Sequence, residues 1–462
     1  MPIFIYNSLT RKKEEFSPLN PPKVNIYTCG VTVYDDSHIG HARSLYIFDL
    51  IRRYLKYRGF DVKFVRNITD IDDKIINRAN ELKTGWIELV KKYIDRYYED
   101  LASLGIEKGD FEPRATENIP EMIKYIESLI QKGFAYATNT GVYFSVRKFN
   151  EYGKLSGQSI DQMETGTRKE LDETKVDVLD FALWKISKHG EPSWPSPWGA
   201  GRPGWHIECS VMSQKFLKTD TLDIHAGGRD LIFPHHENEI AQAEALTGKQ
   251  FAKYWIHHGL LTINSQKMAK SLGNFITIKD FLSKYHNADF LKLFFLSAHY
   301  SHPIDYTAEK IEEARVALER IVILKDKLAK IKSVKSKEND QVKVIKDEFI
   351  KAMDDDFNTP QGLACIFDLV NLTNKNLEDL DFAASSKKTL QEMLEIFGIT
   401  LKSEVSSEAI SDKEVDTKIN ERIQARKNKD FALSDKIRND LEAKGIILED
   451  TKDGKTTWRR KL

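Results

Sequence analysis

Two short runs carry residue types suited to phosphate chemistry. Ser37-His38-Ile39-Gly40-His41 follows a strand-like segment and opens a helical pattern. A helix start presents unpaired N–H groups and the positive end of its dipole, which suits a phosphate. Two imidazoles there add donors, and Gly40, lacking a Cβ, would let a flat base lie against the backbone. The plainer reading is a Ser37 cap and two surface histidines. The second run is Lys267-Met268-Ala269-Lys270-Ser271, followed by Leu272-Gly273-Asn274. Its two ammonium groups could hold β- and γ-phosphates as point charges. Alone, it reads as a basic surface loop.

Sulfur supplies a third candidate. The cysteines are Cys29, Cys209 and Cys365, an odd number at long spacings. That pattern makes no disulfide framework and suits a reducing compartment. Cys365 lies in an apolar helical stretch and reads as core. Cys29 and Cys209 form no CxxC, and lone cysteines are most often small buried hydrophobes. His235 and Glu239, however, are four residues apart and share a helix face. Thiolates, an imidazole and a carboxylate together make a zinc set. His236 competes for the imidazole position; the spacing to Glu239 favours His235.

These residues need elements to position them. Val24–Thr28 alternates as a strand. A helix starts near Ser37, repeats apolar residues at Leu45, Phe48, Ile51 and Leu55, and stops at Gly59; Val62–Ile68 is the next strand. Strand, helix, strand at this spacing is a βαβ unit and implies a parallel sheet. Residues 72–104 and 120–133 read as helices, 141–146 as a strand. The Pro/Gly/Trp-rich stretch 193–205 reads as a loop returning from an insertion. Leu222–His225 is strand-like, a helix spans about 235–246, and the chain is mostly helical from 280. The stretch 402–418, rich in Ser, Glu and Asp, reads as a linker. From Glu421 the end of the chain holds 12 Lys/Arg against 8 Asp/Glu. The Lys-rich stretch 325–345 reads as a solvated helix face and loop.

The chain has 462 residues, 41% hydrophobic and 30% charged, with 70 Lys+Arg against 70 Asp+Glu. It is globular by composition, and zero net charge excludes a wholly basic nucleic-acid coat. No apolar run approaches a bilayer span, and the N-terminal residues lack the apolar core of a signal peptide. A cytoplasmic location and no membrane contact are the expectations.

Longer runs join the motifs: YTCGVTVYDDSHIGHARS (27–44), NITDIDDKII (67–76), WHIECS (205–210), DIHAGGRDLIFPHHENEIAQ (223–242), KMAKSLGNF (267–275), MDDDFNTP (353–360) and the C-terminal GIILEDT…TTWRR. A HIGH tetrapeptide and a KMxKS loop in one sheet domain resemble the class I aminoacyl-tRNA synthetases. The longer runs, in order from end to end, resemble the cysteinyl-tRNA synthetase family.

The resemblance implies an α/β fold. A Rossmann-type catalytic domain would occupy 1–119 and 201–280, with a connective insertion at 120–200. A stem-contact region (281–310), a helical bundle (311–401), the linker (402–418) and an anticodon-binding module (419–462) would follow. The implied activity joins L-cysteine to tRNA(Cys) with ATP and Mg²⁺, in a monomer. One zinc ion per chain would sit on Cys29, Cys209, His235 and Glu239 and select the substrate thiol against serine, without an editing site. His38 and His41 would hold phosphates, and Lys267 and Lys270 would neutralise the departing pyrophosphate. Gly40 and Asp230 would join Lys270 around ATP; a plain helix N-terminal carboxylate is the alternative for Asp230. Thr69 and Trp205 would line the amino-acid pocket, with core packing the alternative for Trp205. Arg426, Phe431 and Asp435 would contact the anticodon, with an amphipathic helix face the alternative for Phe431. Ala269 stands where the family usually has serine, which puts the loop's closing rate in question. A relative passing cysteine to a small amine would lack the anticodon module, and a degenerate RNA binder would have lost the lysines and histidines. The sequence argues against both.

Overall fold

The computed structural model describes residues 2–160, 174–331, 339–401, 411–450 and 456–460. Its centre is a four-stranded parallel sheet: β1 (Lys23–Thr32), β2 (Asp61–Thr69), β3 (Leu222–Gly228) and β4 (Ala252–His258), in the order β4-β3-β1-β2. Helix α1 (Ile39–Tyr57) crosses from β1 to β2. The chain leaves β1 in one direction to reach β2 and lies beside β3 on the other. This is a topological switch point, where ligands bind beyond the carboxyl ends of the strands. Cys29 and the Gly227-Gly228 pair stand at those ends. At Gly30 a Cβ would fall 1.5 Å from the Asn67 carbonyl oxygen, so only glycine lets β1 close on β2 there.

A second, antiparallel sheet runs Ala135–Ala137, Gly141–Phe144, Phe181–Ile186, Gly201–Pro203; three of its strands fall in the expected insertion and the last lies just past residue 200. Residues 193–205 are therefore not all loop. They include the last strand, and helix α2 (Trp205–Leu217) begins at once. A small three-stranded sheet (Leu261–Ile263, Gln266–Lys267, Ile304–Tyr306) carries the lysine loop. Four helices, Ala308–Ala329, Asp340–Asp354, Thr359–Lys375 and Leu380–Ile396, form the bundle. The C-terminal module pairs helices Asp412–Lys427 and Phe431–Ala443 with a hairpin, around Val415, Ile419, Ile437, Leu441, Ile446 and Leu448.

Two further expectations change. The helix expected over 72–104 is two, Asp73–Leu82 and Trp86–Ser103, broken where Lys83 turns left-handed at φ +52°. The expected linker is partly helical. Residues 402–410 lie outside the described residues, but Ser411 caps the next helix and exchanges hydrogen bonds with Glu414. Among the described residues no helix is long and apolar enough to cross a membrane.

Two clusters lock the halves together. Buried Arg43 of α1 donates to the carbonyls of Gly259 (2.7 Å), Leu260 (2.9 Å), Tyr300 (3.2 Å) and His302 (2.6 Å). It thus ties the three-stranded sheet to α1. In the bundle, Asp354 accepts from the Tyr54 hydroxyl (2.6 Å) and pairs with Arg58 at the end of α1. Asp355 pairs with Lys13 (2.7 Å), and Asp356 accepts from Tyr6 N–H (2.9 Å) and the Tyr300 hydroxyl (2.7 Å). Left-handed backbone at Asp356 (φ +61°) and Phe357 (φ +52°) turns the segment.

Candidate active site and metal centre

His38, not Ser37, caps α1. Its Nδ1 accepts from the N–H groups of Gly40 (3.1 Å) and His41 (3.2 Å), while His41 Nδ1 accepts from His38 N–H (3.3 Å). The two rings stack 3.7 Å apart. Accepting at Nδ1 requires neutral imidazoles with the proton on Nε2. Burial works the same way: it brings His38 down to about 4 and His41 well below the usual imidazole range. Each ring therefore offers an Nε2–H donor at the helix start.

The lysine loop lies over this point. Ile39 N–H donates to Ile276 O (3.1 Å) and Ile278 N–H to Ser37 O (2.9 Å), so the chain after the loop is hydrogen-bonded to the start of α1. A Cβ at Gly40 would lie 2.9 Å from the His38 ring and 3.3 Å from Met268 Cε. Gly40 therefore makes room for its own capping histidine and for the loop. Lys270 pairs with Asp35, and Lys267 is exposed. Asp230 is exposed beyond β3; its carboxylate folds back over Gly228, where a Cβ would lie 2.4 Å from Oδ1.

Beside it, four side chains from three strands and helices converge. Cys29 lies in β1 where its pairing with β2 is interrupted between Thr28 and Val31, Cys209 is on α2, Glu239 on α3 (Glu237–Thr247), and His235 precedes α3. Their ligating atoms all lie within 4.8 Å of one another. Cys29 Sγ is 3.8 Å from Cys209 Sγ and 3.5 Å from Glu239 Oε1; His235 Nε2 is 2.8 Å from Glu239 Oε1 and 3.6 Å from Cys209 Sγ. The helix expected from His235 begins only at Glu237. Residues 232–236 form a wider turn with Phe233 extended. The two side chains still meet, but by that turn and not by regular helical spacing. His236 also reaches the cluster, with Nε2 3.2 Å from Cys29 Sγ, and a second set of Cys29, His225, His236 and Glu239 satisfies the same geometry.

The titratable groups of the cluster act strongly on one another. Burial opposes ionisation of Glu239, but His225 and His235 hold it well below the usual carboxylate range. Burial would lower His235 too, yet Glu239 lifts it to about 10. Burial raises Cys209, but donation from Cys29 and the neighbouring His235 bring it down to about 6. Burial and then Cys209 push Cys29 up. Two sulfurs, an imidazole and a carboxylate at one buried point fit a borderline-soft divalent ion such as zinc.

Support comes from residues the sequence reading gave no role. His225 Nε2 is 2.6 Å from Glu239 Oε2, His206 Nδ1 is 2.9 Å from His235 Nδ1, and His257 Nε2 is 2.8 Å from His236 Nδ1. Such partners orient metal ligands. Trp205 is 36% exposed and stacks flat on His235 at 4.0 Å, so it is not core packing. Thr69 is buried; its hydroxyl donates to Glu208 (2.7 Å) and accepts from Asn67 (3.2 Å). Cys365 is buried in the main core. A cavity of about 600 Å³ between Arg53 and the bundle holds none of these residues.

In the C-terminal module Phe431 is 63% exposed at the first turn of its helix, off the buried face of Ser434, Ile437 and Leu441. Asp435 is exposed nearby, and Arg426, half exposed, lies 3.2 Å from Asp450.

Comparison with known proteins agrees with this architecture. A family model described as the tRNA synthetases class I (C) catalytic domain matches residues 15–316, and the DALR domain model matches residues 348–402. The chain is 50% identical to the cysteine–tRNA ligase of Thermodesulfovibrio yellowstonii, with 99% of each covered. It is equally similar, over the same shares, to that of Geobacillus thermodenitrificans. Among solved structures, a Mycobacterium tuberculosis methionyl-tRNA synthetase in complex with methionyl-adenylate superposes with a TM-score of 0.59. The match covers 81% of this chain and 89% of that one; at 15% identity the likeness is one of fold.

Proposed function

Because the chain belongs to the cysteine–tRNA ligase family of class I tRNA synthetases, we propose that it activates L-cysteine and transfers it to tRNA(Cys). It is a ligase that forms an aminoacyl-tRNA. In the first step a cysteine carboxylate oxygen bonds to the α-phosphorus of ATP. The bond from the α-phosphorus to the bridging oxygen breaks, and pyrophosphate leaves; Mg²⁺ accompanying ATP would offset its charge. In the second, a hydroxyl of the terminal adenosine of tRNA bonds to the adenylate carbonyl carbon, the bond from that carbon to the phosphate oxygen breaks, and AMP departs as the hydroxyl proton is released. Neither step needs much acid–base chemistry from the protein; positioning and phosphate-charge stabilisation carry them. His38 and His41 donate Nε2–H bonds to phosphate oxygens, and Lys270, with Lys267 behind it, neutralises charge as pyrophosphate forms. Gly40, lacking a Cβ, lets the His38 ring and the lysine loop close in beside ATP, and Asp230 accepts from a ribose hydroxyl.

Cys29, Cys209, His235 and Glu239 would hold a zinc ion, with His225 and His206 orienting the carboxylate and the imidazole. Zinc bound there would supply a Lewis acid that favours a soft thiol over a serine hydroxyl. Trp205, stacked on His235, and Thr69, fixed by Glu208, form the walls beside it. A site built around the distinguishing group rejects its analogue by about 10⁴–10⁵ without editing, about 5.5–7 kcal/mol at 1.4 per decade. Arg426, Phe431 and Asp435 form the anticodon surface, with Phe431 exposed to stack on a splayed base.

The convergence of the four ligating atoms within 4.8 Å supports the reading most directly. Its test is metal analysis of the purified protein together with ATP–pyrophosphate exchange and tRNA charging, with cysteine and serine in parallel. One zinc per chain and cysteine-only activity are expected. Equal use of serine, or full activity in a metal-free protein, overturns the zinc assignment. Exchange without charging would point to a small-amine acceptor.

A further inference from the structure

The role given to Lys270 raises the question of what holds this lysine before ATP arrives. Its ammonium pairs with the carboxylate of Asp35, three residues ahead of His38. Asp35 has a second cation, Arg78 of the helix Asp73–Leu82, at 3.7 Å. The loop itself is seated. The Lys270 ammonium stands 5.0 Å over the Phe275 ring, whose plane meets the His38 ring edge-on at 5.3 Å. Ala269 N–H donates to Asn274 Oδ1 (2.9 Å), and the Asn274 amide donates back to Lys267 O (3.2 Å). The space enclosed by Asp35, His38, His41 and Phe275 is about 10 Å³, enough for one water at most.

We propose that Asp35 is a positioning residue that parks Lys270 between turnovers and releases it to ATP, with Arg78 keeping the carboxylate compensated once the lysine has left. The proposal rests on Lys270 being an ATP ligand. The side chains differ in the way such an exchange requires. The Asp35 side chain is only 14% exposed and Arg78 30%, whereas Lys270 is 54% exposed on a flexible stem. The lysine is therefore the partner that can leave. A carboxylate this enclosed needs a cation at every stage, and the guanidinium, which also donates to Glu81 at 3.1 Å, is already beside it. An incoming triphosphate competes with one carboxylate for one ammonium.

A resting pair that must break before ATP binds reduces apparent affinity by the fraction of protein with the lysine free. For an exposed pair the factor is up to about fivefold. Asp35→Asn in the full-length protein should lower KM for ATP in cysteine-dependent exchange by that factor, with kcat unchanged. Asp35→Glu, which keeps the charge, should restore the original KM. Without ATP, trypsin should cut after Lys267 and Lys270 faster in Asp35→Asn. Arg78→Met should raise KM for ATP in the native background and have no effect in Asp35→Asn, because the two act through one carboxylate. If Asp35→Asn does not fold, the rise in KM for Arg78→Met alone carries the test. A higher or unchanged KM in Asp35→Asn, or an equal effect of Arg78→Met in both backgrounds, overturns the parking role. Lys270→Ala separates the two claims. If exchange survives it, the lysine is not an ATP ligand; if exchange is lost while Asp35→Asn behaves as native, only the parking role falls.

Discussion

Replacing His225 by phenylalanine isolates one hydrogen bond behind the metal centre. His225 is fully buried on β3 and lies flat on Trp255, with ring centroids 4.5 Å apart and 14° between planes. Its Nε2 meets Glu239 Oε2 at 2.6 Å, while the other carboxylate oxygen faces His235 at 2.8 Å. Phenylalanine keeps the ring and the stacking but removes the donor. A hydrogen bond to a charged group contributes about 1.5–3 kcal/mol. Loss of a partner behind a metal ligand typically weakens metal binding about 10–100-fold, or about 1.4–2.8 kcal/mol at 1.4 per decade. The two magnitudes agree, so His225→Phe should weaken zinc binding about 10–100-fold. Competition against a chromogenic zinc chelator at neutral pH reads the affinity, and circular dichroism during urea unfolding reads the fold. Cysteine-dependent exchange should fall when zinc is limiting and return when zinc is in excess. An affinity equal to that of the native protein, in a variant that unfolds cooperatively, would falsify the supporting role of His225. Exchange that stays low in excess zinc would place His225 in the chemistry instead.

Three other outcomes can be checked directly. Cys29→Ala should lose both bound zinc and cysteine-dependent exchange; if both persist, Cys29 is no ligand. Arg426→Ala should weaken tRNA charging while leaving exchange intact and costing less than about 1 kcal/mol of stability, because its pair with Asp450 is half exposed. Equal loss in both assays would place Arg426 in folding. Arg43→Met removes the donor from four carbonyls at once, and each buried orphan costs about 1–3 kcal/mol. Urea unfolding should show a loss of at least about 3 kcal/mol, and a change under about 1 kcal/mol would mean water replaces the guanidinium without penalty.

The parts legible in the sequence are those whose chemistry is local. The HIGH and KMAKS runs, β1, α1 and β2 are short-range patterns, and the structure puts them within two residues of where Val24–Thr28, Ser37–Gly59 and Val62–Ile68 place them, except that β1 runs four residues longer. The four cluster residues could be named together because a family pattern joined them; spacing alone linked only His235 to Glu239. His206 and His225 were visible in the quoted runs, and His257 lies outside them; none had an assignable role, since their partners sit on other elements. Arg43 is similar, with partners more than 200 residues away. The break at Lys83 was signalled by Thr84-Gly85, and the helix after Ser411 by Ser411 and Glu414 three residues later. In both places a reading by composition or periodicity overrode local capping signals. The turn before Glu237 was signalled by Pro234, which disfavours helical backbone at Phe233.

Helix α1 has a further consequence as a mechanical part. Its last turn and cap, through Tyr54 and Arg58, are fastened to Asp354 of the bundle, and its first residue is preceded by the capping His38. Nineteen residues of helix span about 28 Å. A rod of that length pivoting on its bundle end swings its far tip by about 1 Å for a tilt of about two degrees. Arg43, near the tip, grips the base of the lysine loop, so the loop's anchor would swing with it. The imidazoles and the lysine loop thus share one lever arm, and a load applied to the bundle displaces both together.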